Sequence, residues 1–104
     1  MLIGGDWVSA VAGETFESIN PYTGAAWARI PRGRREDADK AVRAALVAGA
    51  DPAWAKITAT ARGHLLRRFG DLIAQNAERL ADTEVRDNGK LRSEMLSQVK
   101  YVPQ

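Results

Sequence analysis

The chain has one histidine, His64, and no cysteine. A histidine acting as a general base needs a carboxylate to orient it and a nucleophile within hydrogen-bond reach. On a helix, the neighbours of His64 at three and four residues are Thr60, Ala61, Arg67 and Arg68, and none of them meets either need. His64 therefore reads as a half-exposed surface residue. Glu36, Asp37 and Asp39 could attract a cation, but they lack histidine or cysteine company. They fit better as charges in the first turns of a helix, where the macrodipole favours them. Arg34–Arg35 and Arg67–Arg68 could meet phosphates, although a solvated helix face explains them more simply. Trp7, Trp27 and Trp54 suit core or interface anchors better than stacking platforms. The nine glycines form no dinucleotide fingerprint, phosphate loop or nucleophile elbow. Asp87-Asn88-Gly89-Lys90 is the tetrapeptide that most suggests a site, and a helix C-cap with a lysine near the last carbonyls accounts for its conformation. Without cysteine, disulfides, thiolate metal sites and cysteine nucleophiles are excluded for these 104 residues. No residue is assigned a catalytic, cofactor-binding or metal-binding role.

Bulk properties narrow the class. The length of 104 residues allows one domain at most. The hydrophobic share of 45% and charged share of 27% are those of an ordinary soluble protein. Fifteen basic and thirteen acidic residues mix along the chain for a net charge of +2. That pattern argues against a nucleic-acid partner, which selects for basic residues gathered on one face. No apolar run approaches the roughly 20 residues that span a bilayer, so no membrane partner is expected. The N-terminus shows no positive region followed by an apolar core, and a cytoplasmic location is the default expectation.

With so little chemistry in the side chains, the elements that carry them become the subject. Leu2-Ile3 and Trp7-Val8 flank Gly4-Gly5-Asp6, and Gly-Gly supplies the positive φ angles of a tight hairpin. Val11-Ala12-Gly13 reads as the next turn. Thr15 to Ile19, rich in β-branched and aromatic residues, reads as a strand. In Asn20-Pro21-Tyr22-Thr23-Gly24 the proline presets a turn and Gly24 closes it. Ala25 to Ile30 follows as the partner strand, stopped by Pro31. Residues 1–31 thus form an antiparallel β-ribbon, too small to persist alone.

Residues 34–104 read as helical. From 34 to 49, Ala38, Ala41, Val42, Ala45, Leu46 and Gly49 repeat at helical spacing. Gly49 and Pro52 end that helix, and Pro52-Ala53-Trp54 is a connector with Trp54 as a plug. Leu65, Leu66, Phe69, Leu72, Ile73 and Leu80 form one apolar stripe in a long helix over 59–87, or in two helices with Asn76 as the N-cap of the second. Gly89 suits the left-handed residue after its end. Leu91, Met95, Val99 and Val102 begin a further helix over 91–104. The fold class is an α+β fragment: a β-ribbon followed by three or four helices, together one incomplete domain.

The order of these pieces resembles a known family. Ile3-Gly-Gly-Asp-Trp7, Thr15-Phe16, Asn20-Pro21-Tyr22-Thr23-Gly24 and Ala28-Arg29-Ile30-Pro31 come first. Glu36-Asp37-Ala38-Asp39-Lys40-Ala41-Val42, Pro52-Ala53-Trp54, Ala61-Arg62 with Leu65-Leu66-Arg67, and Asp87-Asn88-Gly89-Lys90 follow. Over nearly the whole chain they are similar to the N-terminal region of the NAD(P)-dependent aldehyde dehydrogenase superfamily. One departure is Arg34, where such proteins often place a Ser or Thr cap; a weaker cap would let the first turn fray. The resemblance implies enzymes several times longer that oxidise an aldehyde to a carboxylic acid. They work through a cysteine thiohemiacetal, hydride transfer to NAD(P)+ and a glutamate base. It also implies that those groups lie downstream, so that NAD or NADP serves the complete enzyme and is not expected on this chain alone. It further implies that the ribbon and helices pack around the nucleotide-binding domain, and that the helix after Asp87-Asn88-Gly89-Lys90 runs near the substrate tunnel. Met95 and Tyr101 are then the tunnel-wall candidates, while Asn20, Pro21, Gly24, Trp54, Asn88 and Gly89 have structural roles. The expected partner is the remainder of such an enzyme or a homo-oligomer.

Two other readings compete with it. A standalone helical interaction module would self-associate through the Leu65–Leu80 stripe. A nucleic-acid binder would use the paired arginines, against the near-balanced charge.

Overall fold

A computed structural model describes residues 1–103. Four short strands precede five helices: β1 (Leu2–Ile3), β2 (Asp6–Trp7), β3 (Thr15–Ile19), β4 (Ala26–Pro31), α1 (Arg35–Ala50), α2 (Pro52–Ala55), α3 (Ala59–Gln75), α4 (Ala77–Asn88) and α5 (Arg92–Tyr101). The α+β class with antiparallel ribbons first and helices after is therefore as the sequence suggests. The chain groups into two compact units. One joins Met1–Ser18 to Ala28–Ile57; the other joins Ile19–Trp27 to the chain from Thr58 on.

The ribbon is two separate two-stranded sheets, β1–β2, which lies in the first unit, and β3–β4. Leu2 pairs with Trp7 and Ile3 with Asp6. Gly4 and Gly5 make the turn at φ of 63° and 93°, a region closed to most side chains. The hairpin lies against the alanine face of α1: a Cβ placed on Gly4 would stand 3.7 Å from that of Ala44. Only part of the expected stripe is covered in this way. Val42 and Leu46 stay 59% and 68% exposed.

The start of α1 corrects the expectation of fraying. Arg34 is the N-cap, and its side chain has no acceptor to offer the helix amides. Asp37, three residues on, supplies the reverse half of a capping box. One carboxylate oxygen accepts from the Arg34 amide at 2.9 Å and the other from the Val11 amide at 3.0 Å. Asp37 is buried, and it ties the Val11 turn to the helix start. The Arg34 guanidinium instead forks onto Glu14 at 2.7 and 2.8 Å. After α1, the connector is itself a helical turn, because Pro52 takes the N1 position and the Asp51 carboxylate accepts from the Ala53 amide at 2.7 Å. Trp54 lies on that turn and keeps 46% of its surface exposed.

In the second unit, Thr58 caps α3 by accepting from the Ala61 amide at 3.1 Å. The long helical stretch does break at Asn76, between α3 and α4. The expected cap runs the other way, however. The Asn76 amide group donates back to the Leu72 carbonyl at 2.8 Å and makes no cap bond to α4. The residue therefore closes the helix behind it. Ala77 and Ala81 of α4 and Met95 of α5 are buried, and small residues on α4 let α5 approach closely. Gly70 of α3 is buried by Pro103, whose Cβ would be 3.4 Å from any added Cβ.

Two outcomes test these caps. Thr58→Ala should weaken the first turn of α3 by about 0.5–2 kcal/mol, seen as faster amide exchange at Ala61; unchanged exchange would count against the cap. Hydrogen bonds from the Arg34 and Val11 amides hold the Asp37 carboxyl below the usual aspartate range, against the opposing effect of its burial. The native state therefore binds fewer protons than the unfolded chain at acid pH. The contribution is complete above the ordinary aspartate range and is lost as pH falls through the lowered native value. In an NMR titration, the Val11 and Arg34 amides should shift together at that low pH, and Asp37→Asn should abolish both transitions.

Candidate functional site

The Asn20–Gly24 turn is built by its own polar groups. The Asn20 side-chain oxygen accepts from the amides of Tyr22 at 2.9 Å and Thr23 at 3.4 Å, and the Gly24 amide reaches the Asn20 carbonyl at 2.8 Å. Pro21 presets the turn and Gly24 takes a φ of 68°. The turn packs on the corner after α4. Gly89 ends that helix at a φ of 74°, and a Cβ there would come within 2.7 Å of Pro21 Cγ. Two of the motifs singled out in the sequence, far apart along the chain, thus meet at one point.

Asn88 organises the other side of the same corner. Its side-chain oxygen accepts from the Lys90 amide at 2.9 Å, and its nitrogen donates to Glu84 at 2.9 Å and lies 3.9 Å from the Met95 sulfur. The Lys90 ammonium reaches the Gln98 side chain of α5 at 3.5 Å, not the last carbonyls of α4 as the sequence suggested. Arg92 then spans from α5 to α4, donating to Asp82 and Glu78 at 2.6 Å each. Lys100 lies 3.7 Å from Glu78. Donating to the Asp82 and Glu78 carboxylates raises the Arg92 pKa above its ordinary value. This ladder stays on an exposed face and sets the register of α5 against α4.

The two tunnel-wall candidates have opposite surroundings. Met95 is 6% exposed and Tyr101 is 74% exposed. Six residues along a helix place them about 120° apart around its axis. His64 is exposed on α3. Among the described residues, no group of three or more histidines, cysteines or carboxylates could hold a metal ion, and every buried side-chain nitrogen or oxygen has a partner.

Two apolar grooves stand out. One of about 470 Å³ in the second unit has Phe69, Leu72, Ile73, Leu80, Val99 and Val102 as its greasy lining, with Asn76, Arg79, Thr83 and Glu84 alongside. Another, about 780 Å³ in the first unit, lies between the β1–β2 hairpin and α1. Leu65, Leu66, Phe69 and Leu72 keep 52%, 69%, 62% and 49% of their surface exposed. The anticipated stripe is real, and within its own unit it is largely uncovered.

Comparison with known proteins places this arrangement. The aldehyde dehydrogenase family model matches residues 7–104. Acetaldehyde dehydrogenase 2 of Cupriavidus necator is 46% identical over 88 residues, which is 85% of this chain and 17% of that protein. The (Z)-2-((N-methylformamido)methylene)-5-hydroxybutyrolactone dehydrogenase of Acinetobacter baylyi is 45% identical over 87 residues, 84% of this chain and 18% of that protein. Among solved structures, an aldehyde dehydrogenase mutant from Bacillus cereus matches with a TM-score of 0.90 at 37% identity, over 99% of this chain and 23% of that one. A point mutant of betaine aldehyde dehydrogenase from Staphylococcus aureus, in complex with NAD+, matches with a TM-score of 0.89 at 34% identity, over 94% and 20%. The chain belongs to the aldehyde dehydrogenase family. It spans about a fifth of the length of the relatives it matches.

The corner at Gly89 can be tested directly. Gly89→Ala should cost about 1–2 kcal/mol from the left-handed backbone alone, and more from the collision with Pro21. Faster exchange of the Met95 amide, which bonds the Leu91 carbonyl at 3.0 Å, would report it. Adding Pro21→Ala should recover the steric part only. Equal effects with and without Pro21 would show that the two motifs do not bear on each other.

Proposed function

We propose that the chain is the N-terminal portion of an NAD(P)-dependent aldehyde dehydrogenase, an oxidoreductase that converts an aldehyde to a carboxylic acid. We further propose that it is catalytically silent by itself. The observation that carries this reading is the family match over nearly the whole chain, combined with coverage of only a fifth of each relative. The half-open apolar faces of α1 and α3 support it, since they belong to surfaces that a larger body covers. The family match weighs against the self-associating module.

The residues present do not fit a nicotinamide dinucleotide by themselves. The five glycines at positive φ stand in hairpins, turns and one helix end. No buried polar side chain among the described residues lacks a partner that a cofactor would supply. NAD+ in the Staphylococcus aureus structure supports NAD or NADP as the cofactor of the complete enzyme. Within that enzyme, Tyr101 is the better candidate to face the substrate tunnel, being exposed on the helix that follows the Asn88–Gly89 corner. Met95, buried toward α4, would back the wall from behind. A cytoplasmic location belongs to the same proposal. No helix among the described residues is long and apolar enough to cross a membrane.

A pure preparation of the chain should form no NADH from NAD+ and an aldehyde at any pH. Measurable turnover would refute catalytic silence. The reading frame that follows codon 104 should encode a glycine-rich cofactor segment and a cysteine; a frame encoding neither would count against the proposal.

A further inference from the structure

The sequence holds three asparagines, Asn20, Asn76 and Asn88, and only Asn88 precedes a glycine. The Cγ of an asparagine carboxamide is electrophilic. The main-chain nitrogen of the next residue can attack it and close a five-membered imide. That nitrogen must carry a hydrogen, and the residue bearing it must not crowd the approach. Asn20 fails the first condition, because Pro21 has no N–H. Asn76 fails the second, because it precedes Ala77, a buried residue with a Cβ. Asn88 meets both. It is the exposed last residue of α4, and Gly89 beyond it stands at a φ of 74°. The Asn88 side-chain oxygen accepts from the Lys90 amide at 2.9 Å, and the ring closed by that bond contains the Gly89 nitrogen. The carboxamide is therefore already folded toward the nitrogen that would attack it. Two hydrogen bonds restrain the pair: the Gly89 amide to the Val85 carbonyl at 3.0 Å, and the Asn88 nitrogen to Glu84 at 2.9 Å. Both lie in the last turn of a helix, where local opening costs least.

We propose that Asn88 is a site of spontaneous deamidation, and that its conversion opens the corner where Pro21 meets Gly89. The Gly89 nitrogen bonds to Asn88 Cγ and gives up its hydrogen. The Cγ–Nδ2 bond breaks, and Nδ2 leaves with that hydrogen as ammonia. Water then adds to one of the two imide carbonyls. Opening at Cγ gives aspartate; opening at the main-chain carbonyl gives isoaspartate, whose main chain runs through the former side chain. Nothing is oxidised or reduced, and water is the co-reactant. Either product places a new carboxylate four residues after Glu84 and at the negative end of the α4 macrodipole, and both effects are repulsive. Isoaspartate also inserts one methylene between α4 and Gly89. The contact at that point is already close, since a Cβ on Gly89 would stand 2.7 Å from Pro21 Cγ. The longer main chain therefore pulls Gly89 out of register with the Asn20–Gly24 turn. The inference is independent of reading the chain as an N-terminal portion.

The test is incubation of the full 104-residue chain in mildly alkaline buffer. Peptide mass spectrometry locates the acid formed, and an isoaspartyl methyltransferase with a labelled methyl donor counts the isoaspartate. Acid should appear at position 88 at least about tenfold faster than at Asn20 or Asn76, the ratio that a modest difference in barrier produces. Gly89→Ala should slow it at least about tenfold, because the added Cβ crowds the attacking nitrogen. Asn88→Gln, which cannot close a five-membered ring, should abolish methyl uptake. Acid forming at Asn76 as fast as at Asn88, or methyl uptake surviving Asn88→Gln, would overturn the site. The corner is read by NMR on the converted chain after ion-exchange separation. The Tyr22 and Lys90 amides should shift in the isoaspartate fraction. Asn88→Asp, which carries the charge on an unaltered main chain, should leave the Tyr22 amide in place. An unmoved Tyr22 amide in the isoaspartate fraction would overturn the opening of the corner.

Discussion

The structure depends on one unmet demand, the burial of large apolar side chains. Leu65, Leu66, Phe69 and Leu72 are each about half to two-thirds exposed. Full burial of such a side chain is worth roughly 1.5–3 kcal/mol, so these four leave on the order of 5 kcal/mol unrealised. That is comparable to the whole stability of a small domain, about 5–15 kcal/mol. The buried apolar residues are mostly small: Ala10, Ala77, Ala81 and one methionine, Met95, with Gly70 behind Pro103. No large side chain among the described residues is fully buried. Small residues bring helices together without supplying much hydrophobic stabilisation.

Local polar devices do the shaping in the meantime. Asp37 binds a loop amide and a helix amide at once. Asn20 folds its own turn, and Asn88 links the end of α4 to Lys90 and lies near Met95. Arg92 bridges α4 and α5. These interactions are short in range and largely exposed, so they fix directions more than they hold the chain together. The result is a set of well-formed corners around largely exposed apolar faces. Under the proposed reading, the remainder of an aldehyde dehydrogenase would supply the neighbour that covers them.

Most of the elements were legible because their signals are local. Gly4-Gly5, Asn20–Gly24 and Gly89 announce turns through backbone conformations that few other residues adopt. The apolar period marked α1 and α3, and Asn76 marked the break. What was not legible depends on partners distant along the chain. Asp37 looked like one of three equivalent acidic residues; its distinct role needs Val11 beside it. Asn76 does stand at the N-cap position before α4, but its side chain turns back to the Leu72 carbonyl instead of capping that helix. Gly70 gave no sign, since only the approach of Pro103 explains a glycine there. Pro52 marks the end of α1, as its ring requires, and also begins a turn of helix because Asp51 caps it. Thr58 carries a purely local signal, a hydroxyl residue just before an apolar run, and caps α3. The meeting of Pro21 with Gly89 lies beyond any local pattern.

Calorimetry of the purified chain tests most directly whether its apolar faces were shaped for a body it lacks. A self-sufficient domain absorbs about 0.7 kcal/mol per residue in one sharp transition near 60 °C. The account predicts a broad, weakly cooperative trace well below that enthalpy. A single reversible peak of full enthalpy from a monomer would contradict it.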